Sequence, residues 1–337
     1  MAVSLREAAE EMLKLYDSWP DQLLQSFAEA SSIKARAVSP RSIVLCGMGG
    51  SGVTGDYVWG VASAKGLNVP VWVHKSDGVP HWLSREDLVI AISYSGNTYE
   101  TLSCAREALS RGAAVGAVTS GGKLAELAKE RGLPLAMIRQ GYYPRTALGM
   151  LAGATFGLLS AMGVKLVTDA EVRGAAEVLR GTSRGEGEAI ARPLAGKKII
   201  IVAGCGIMSI VAERWRQELS ENAKVIAKTE SYPESAHNDL VAWQTLHDVS
   251  KGFVLVESSE GPLCAAVDEL LRDVYSSQRD VVVRVVPRGD TPLARLLQGS
   301  LTAGYASTYL AMFNGVDPRV TAITGRYKEL LEKRGLA

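Results

Sequence analysis

The chain has 337 residues, with 37 lysines and arginines against 36 aspartates and glutamates and a formal net charge of +1. That length predicts about two domains, and 47% hydrophobic with 22% charged residues is the balance of a protein that buries a sizeable core. A near-neutral chain without a long basic run offers no face to a phosphate backbone, so no nucleic acid is expected as a partner. No apolar run is long enough for a transmembrane helix, so no membrane is expected either.

Met1 to Trp19 sets acids, bases and leucines at helical spacing and contains no apolar signal core. From Ser42 onward, short Val- and Ile-rich runs alternate with longer amphipathic stretches. The runs predict strands at Ser42–Cys46, Val69–Val73, Leu88–Ile92, Ala114–Val118 and Leu135–Ile138. Helices are predicted over Gly52–Lys65, Thr98–Arg111 and Lys123–Arg131. Arg145–Met162 is rich in Ala and Gly and predicts a helix packed closely on another helix or subunit. Asp169–Ala195 is polar, contains Gly181, Gly185, Gly187 and Pro193, and reads as a connector.

A second series of strands is predicted at Lys198–Val202, Val225–Ala227, Phe253–Val256 and Val281–Val286, with helices at Met208–Asn222, Pro262–Ser277 and Pro292–Phe313. The rhythm is that of α/β halves with parallel sheets. Val44-Leu-Cys-Gly-Met-Gly49 echoes Ile201-Val-Ala-Gly-Cys-Gly206, as an internal duplication would. Cys46, Cys104, Cys205 and Cys264 form no C-x-x-C pair and lie in apolar stretches, so they are read as buried reduced thiols of a cytoplasmic protein.

Open α/β sheets bind ligands at the carboxyl ends of their strands. Two turns there draw attention. Gly47-Met-Gly-Gly-Ser-Gly52 follows a strand and opens a helix, where glycines let an anion approach the backbone and the helix N–H groups attract it. Dinucleotide folds use the same glycine spacing. They also need an acid after the next strand, and Val69-Pro-Val-Trp-Val is followed by His74 and Lys75. A plain tight turn is the third reading. The other turn, Ser93-Tyr-Ser-Gly-Asn-Thr-Tyr-Glu-Thr101, clusters Ser93, Ser95 and Thr98 at a helix start. Such hydroxyls suit a phosphate monoester, whereas N-capping with Glu100 completing a capping box explains one of them.

Together these turns resemble the sugar isomerase (SIS) domain. Joined by the motifs between Pro144 and Lys328, they make nearly the whole chain resemble the bifunctional phosphoglucose/phosphomannose isomerases of archaea and some bacteria. The resemblance implies two SIS subdomains, each a doubly wound parallel sheet flanked by helices: residues 1–168 with a leading helix, a connector at 169–195, and residues 196–337. It implies a hexose 6-phosphate substrate, a homodimer with shared active sites, no cofactor and no metal. Ser51, Ser93, Ser95 and Thr98 match the family's phosphate-contacting positions, and Gly49 and Gly50 those lining the sugar.

The remaining site residues enter through the same resemblance. Arg145, after Pro144, matches an arginine that faces the enediolate, where a fixed cation stabilises developing negative charge. Glu221-Asn222-Ala-Lys matches a catalytic Glu-Asn motif, which makes Glu221 the base between C2 and C1. Glu218, on the same helix face, reads as a solvated charge. His237-Asn238 matches a histidine supplied by the partner subunit for ring opening. Lys328, downstream of Asp317-Pro318, matches a ring-opening lysine, and Thr321 a position linked to accepting mannose as well as glucose configuration. Family tails usually read Asp-Pro-Thr-Pro-Val where this chain reads Asp-Pro-Arg-Val-Thr, a departure in the stretch that leads to Thr321 and Lys328. His74, His81 and His247 are read as structural. The expected activity is aldose–ketose isomerisation through a cis-enediolate. The alternatives are a non-catalytic SIS sugar-phosphate sensor and another SIS-type sugar-phosphate isomerase.

Overall fold

Leu88-Val-Ile-Ala-Ile-Ser93 is buried at every position, the mark of an interior parallel strand covered on both faces. The computed structural model that shows this describes residues 4–243, 249–258, 260–277 and 280–336, so His247 lies outside the described residues. Two helices come first, α1 (Leu5–Asp17) and α2 (Trp19–Ser31). A βα series follows: β1 (Ile43–Cys46), α3 (Gly50–Ala64), β2 (Val71–His74), β3 (Leu88–Ser93), α4 (Tyr99–Ser110), β4 (Ala114–Thr119), α5 (Gly122–Glu130) and β5 (Leu135–Met137). A 3-10 turn (Pro144–Ala147) leads into α6 (Leu148–Ala161), then α7 (Asp169–Arg180) and α8 (Arg184–Leu194). The second series is β6 (Ile199–Cys205), α9 (Met208–Ala223), β7 (Ile226–Tyr232), a 3-10 turn (Glu234–His237), α10 (Asp239–Ala242), β8 (Lys251–Val256), α11 (Gly261–Ser277), β9 (Val281–Val285) and α12 (Pro292–Phe313). The last helix is α13 (Ala322–Lys333).

Among the described residues the strands form two sheets, ordered β2-β1-β3-β4-β5 and β7-β6-β8-β9, with every pairing parallel. The second order repeats the first apart from β5, which is the duplication read from the two Gly-x-Gly strands. Residues 169–195, read as a connector, carry α7 and α8. A capping box between Ser183 and Glu186 starts the latter.

The chain packs as two compact units. One comprises Ser18–Glu177 and Thr321–Ala337 and holds the first sheet. In it the small-residue helix α6 lies on α2. A side-chain carbon on Gly157 would stand 2.6 Å from the carbonyl oxygen of Phe27, so only glycine permits that approach. The other unit comprises Met1–Asp17 and Val178–Val320 and holds the second sheet, with α12 packed on α8 and α9.

The cysteines are not free thiols. Cys46 is bonded to Cys104 and Cys205 to Cys264. Each disulfide joins the last residue of a sheet's first strand to the helix after the neighbouring strand, at sequence separations of 58 and 59. Parallel topology brings these positions together, and no local spacing reveals them. The reduced-thiol argument for a reducing compartment falls with this pairing.

Candidate active site

β1 and β3 lie side by side, so the two turns at their carboxyl ends meet. Ser51, in the first turn of α3, is buried, and its Oγ accepts from the N–H of Tyr94 at 3.3 Å. Ser93 and Thr98 hydrogen-bond through their hydroxyls at 2.9 Å, and the N–H of Gly96 donates to Ser93 Oγ at 3.1 Å. Ser95 Oγ accepts from the N–H of Asn97 at 3.3 Å. Gly49 (φ 55°, ψ −127°) and Gly96 (φ 71°) hold conformations that favour glycine.

Neither helix start here is capped by its own N-cap side chain. Gly49 has none, and Thr98 makes no cap hydrogen bond. The expected capping box through Glu100 is not realised: Glu100 accepts instead from the Tyr327 phenol at 2.7 Å. Two helix N-termini with their dipoles and a converging set of hydroxyls form a neutral cradle for an anion. Lys75, which follows β2, pairs with Asp56 at 2.6 Å.

Tyr94, between Ser93 and Ser95, was not foreseen as a site residue. Besides its N–H contact to Ser51, its phenol oxygen accepts from the N–H of Tyr142 at 2.9 Å. Burial pushes that phenol's pKa up and keeps it neutral. The link ties the hydroxyl turns to the 3-10 turn that carries Arg145. Arg145 is only 4% exposed, and its guanidinium lies over the Tyr143 ring at 5.2 Å. The same turn is pinned from α2, where Trp19 Nε1 and Gln22 Nε2 donate to the carbonyl of Thr146 at 2.9 and 3.1 Å. Arg145 is therefore a buried cation on a turn held from several sides.

α13 belongs to this unit, and the Tyr327–Glu100 bond ties it to the first turn of α4. Thr321 is its N-cap and is half-buried, while Lys328 is exposed. Gly49, Gly50, Ser51, Ser93, Ser95, Thr98, Arg145, Thr321 and Lys328 thus lie in one unit, and Glu221 and His237 in the other.

Glu221 is half-buried in the last turn of α9. The fully buried carboxylate of this helix is Glu218, which corrects its reading as a solvated charge. Glu218 is 1% exposed, paired with Arg214, and accepts from the Tyr16 phenol at 2.6 Å and from Asn222 Nδ2 at 2.8 Å. Arg214, Glu218 and Asn222 repeat at four-residue spacing, a polar stripe on the inner face of the helix. That stripe was legible but unread. Asn222 Nδ2 also lies 2.9 Å from Ser307 Oγ, so the residue after Glu221 anchors the helix end in the core.

His237 ends the 3-10 turn beyond β7 and is exposed. The strand leading to it is fixed by Glu230, 0% exposed, which accepts from the phenols of Tyr232 and Tyr275 at 2.8 and 2.7 Å. Burial first, then the Glu230 charge, pushes both phenols up, so they stay protonated and keep donating.

Paired doubly wound sheets, one with a hydroxyl-lined anion cradle at its mouth, define the sugar isomerase (SIS) class. Residues 38–138 match the SIS domain, and residues 184–331 match the bacterial phospho-glucose isomerase C-terminal SIS domain. A solved structure, the C-terminal domain of glucosamine-fructose-6-phosphate aminotransferase from Francisella tularensis, shares the fold with a TM-score of 0.67 at 17% identity, covering 91% of this chain and 97% of that one. A bifunctional phosphoglucose/phosphomannose isomerase of Aeropyrum pernix is 35% identical over 95% of this chain and 98% of its own length. Its counterpart in Aquifex aeolicus is 31% identical over 96% and 99%. The chain belongs to the bifunctional phosphoglucose/phosphomannose isomerase family.

Proposed function

We propose that this chain interconverts glucose 6-phosphate and mannose 6-phosphate with fructose 6-phosphate. The observation that carries the reading is the cradle of Ser51, Ser93, Ser95 and Thr98 between two helix starts that no N-cap side chain fills. It grips the phosphate, the non-reacting end, and its binding energy orients C1 and C2. Gly49 and Gly50 leave room for the sugar.

In the proposed mechanism His237 and Lys328 open the ring. The C1–O5 bond breaks, O5 gains a proton and the C1 hydroxyl loses one, leaving an aldehyde. Glu221 then removes the C2 proton, and the electron pair forms the C1–C2 double bond of a cis-enediolate whose charge on the C1 oxygen faces Arg145. The C2 hydroxyl proton passes to the C1 oxygen as C2 becomes a carbonyl, and Glu221 returns its proton to C1. In reverse, rotation about C2–C3 lets C2 be protonated from either face, so both epimers share one site. Thr321 stands where the mannose configuration is accommodated.

This reading needs no metal or nucleotide. It includes the two subdomains 1–168 and 196–337, a homodimer with shared active sites and a cytoplasmic location. Disulfides are compatible with the last, because intracellular proteins of hyperthermophiles carry them.

Incubation with fructose 6-phosphate and separation of the two aldose products tests the reaction. Turnover to both supports it, whereas tight binding without turnover would favour the sugar-phosphate sensor. Glu221→Gln is expected to abolish isomerisation while leaving sugar-phosphate binding intact. Near-normal turnover would remove Glu221 from the base role. Mixing inactive Glu221→Gln and His237→Ala chains should restore activity if sites are shared. No recovery in a mixture proven to exchange subunits would argue against sharing.

A further inference from the structure

Lys224 is the one non-glycine residue with a positive φ among the described residues. It ends α9 at φ 54°, ψ 39°. Elsewhere the chain meets this requirement with glycine, as at Gly66 after α3, Gly112 after α4 and Gly315 after α12. A left-handed lysine is disfavoured by its Cβ, so its presence points to a task for the side chain.

The contacts show what that side chain does. Lys224 Nζ donates to the carbonyls of Glu221 and Asp317 at 2.7 and 2.8 Å, with those of Asn222 and Pro318 at 3.2 and 3.4 Å. An ammonium has three donors, and these carbonyls surround it. Two of them belong to the last turn of α9, where a cation complements the helix dipole. The other two belong to the turn that leads on to Thr321 and Lys328. One cation therefore clamps the turn bearing Glu221 against the Asp317–Pro318 turn.

We propose that Lys224 is a positioning residue for proton transfer, acting through the last turn of α9 to fix the carboxylate of Glu221. The inference rests on Glu221 being the base. A terminal helical turn frays unless held, and a misplacement of about 1 Å costs roughly a hundredfold in rate. Asn222 anchors the turn from the buried side and Lys224 closes it from the solvent side.

Lys224→Gly separates this role from a structural one, because glycine adopts the same backbone without strain while removing the clamp. The expected outcome is an unchanged or higher melting temperature, a kcat lowered roughly ten- to a hundredfold, and a KM for fructose 6-phosphate within about twofold of the parent. Exchange of the C1 hydrogen of fructose 6-phosphate with heavy water should slow by the same factor as kcat. Lys224→Met, which keeps the stem without the ammonium, should lose kcat likewise. A parental kcat in Lys224→Gly, or an equal fall in kcat and folded fraction, overturns the inference. Glu221→Gln is assayed alongside. If it is inactive while Lys224→Gly is fully active, the base assignment stands and only the clamp is lost. If Glu221→Gln turns over normally, both fall.

Discussion

The mouths of the two sheets occupy the same topological position and differ in chemistry. Each opens from a first strand that ends in cysteine and is bonded to the helix after its neighbour. At the first mouth, the turns after β1 and β3 present hydroxyls and glycines, and the starts of α3 and α4 lack side-chain caps. At the second, the turn after β8 brings its own carboxylates. Glu260 Oε2 accepts from the N–H of Ile207 at 3.3 Å, just before α9. Glu257 pairs with Arg284 and Arg272, and Asp268 lines the same cavity of about 240 Å³. A helix start is an anion site by construction. In the first half no N-cap side chain fills that place, and in the second the chain supplies the anion itself. Duplication thus supplied two scaffolds whose mouths differ in side-chain chemistry, and the proposed phosphate site uses the first.

The largest test of this contrast removes hydroxyls. Hydrogen bonds to a charged group contribute about 1.5–3 kcal/mol each, so Ser93→Ala with Thr98→Ala should raise KM for fructose 6-phosphate roughly a thousandfold. Ser258→Ala removes the matching hydroxyl at the second mouth, where it accepts from the N–H of Glu260 at 3.2 Å, and should leave KM unchanged. Steady-state kinetics on both variants decides. Equal effects would mean that the second mouth also binds substrate.

The disulfides give the next largest effect. A cross-link over 58 or 59 residues stabilises by about 4 kcal/mol in the chain-entropy model, so Cys104→Ala and Cys264→Ala should each lower the denaturation midpoint by a similar amount. They should differ in KM. Cys46 directly precedes the Gly47–Gly52 turn and Cys104 lies in the helix that Thr98 begins, so that bond couples the two halves of the cradle. A higher KM in Cys104→Ala alone is expected. The same KM in both variants would leave the bonds with a purely stabilising role.

Glu260→Ala probes the other side of the comparison. It takes the acceptor from the Ile207 N–H and a partner from Arg295. Unmet donors cost about 1–3 kcal/mol when buried, and this site is half-buried, so a loss near the lower figure with kinetics intact is expected. A fall in kcat/KM would show the second mouth to be part of the catalytic apparatus.

How far these features could be read in advance depended on whether they were local. The strands β1, β3, β4 and β8 carry the apolar runs 42–46, 88–92, 114–118 and 253–256, and their alternation with helices pointed to parallel sheets. α12 was bounded at Pro292 and Phe313, where the structure places its ends. β7 was half missed, because Lys228-Thr-Glu-Ser231 reads as polar although it lines the edge of a sheet. The cluster of hydroxyls at the start of α4 was visible because Ser93, Ser95 and Thr98 are neighbours in sequence. The disulfides, the burial of Glu218 by Tyr16, and the clamp at Lys224 join residues far apart in the chain, so only the folded chain reveals them.

The smallest expected effect is also the one that reports directly on the charge at the second mouth. Asp268 is 3% exposed, and its Oδ2 accepts from the N–H of Ser258 at 2.9 Å, while Oδ1 has no hydrogen-bond partner among the described residues. Burial raises its pKa, the Ser258 N–H opposes this, and the Glu257 charge adds to the rise. The folded chain therefore keeps this proton to a higher pH than the unfolded chain does. Between the ordinary carboxylate range and the raised folded value the native state binds more protons, so stability falls as pH rises through that window and stays reduced above it. Asp268→Asn keeps the acceptor for Ser258 and removes the charge. It should raise stability at neutral pH by up to about 1 kcal/mol, the scale of one hydrogen bond, and flatten the fall. Denaturant titrations at acidic and neutral pH measure it. A variant that follows the parent's pH slope would mean that Asp268 is met by water or a ligand in solution, and the second mouth would then be open to occupants as the first is.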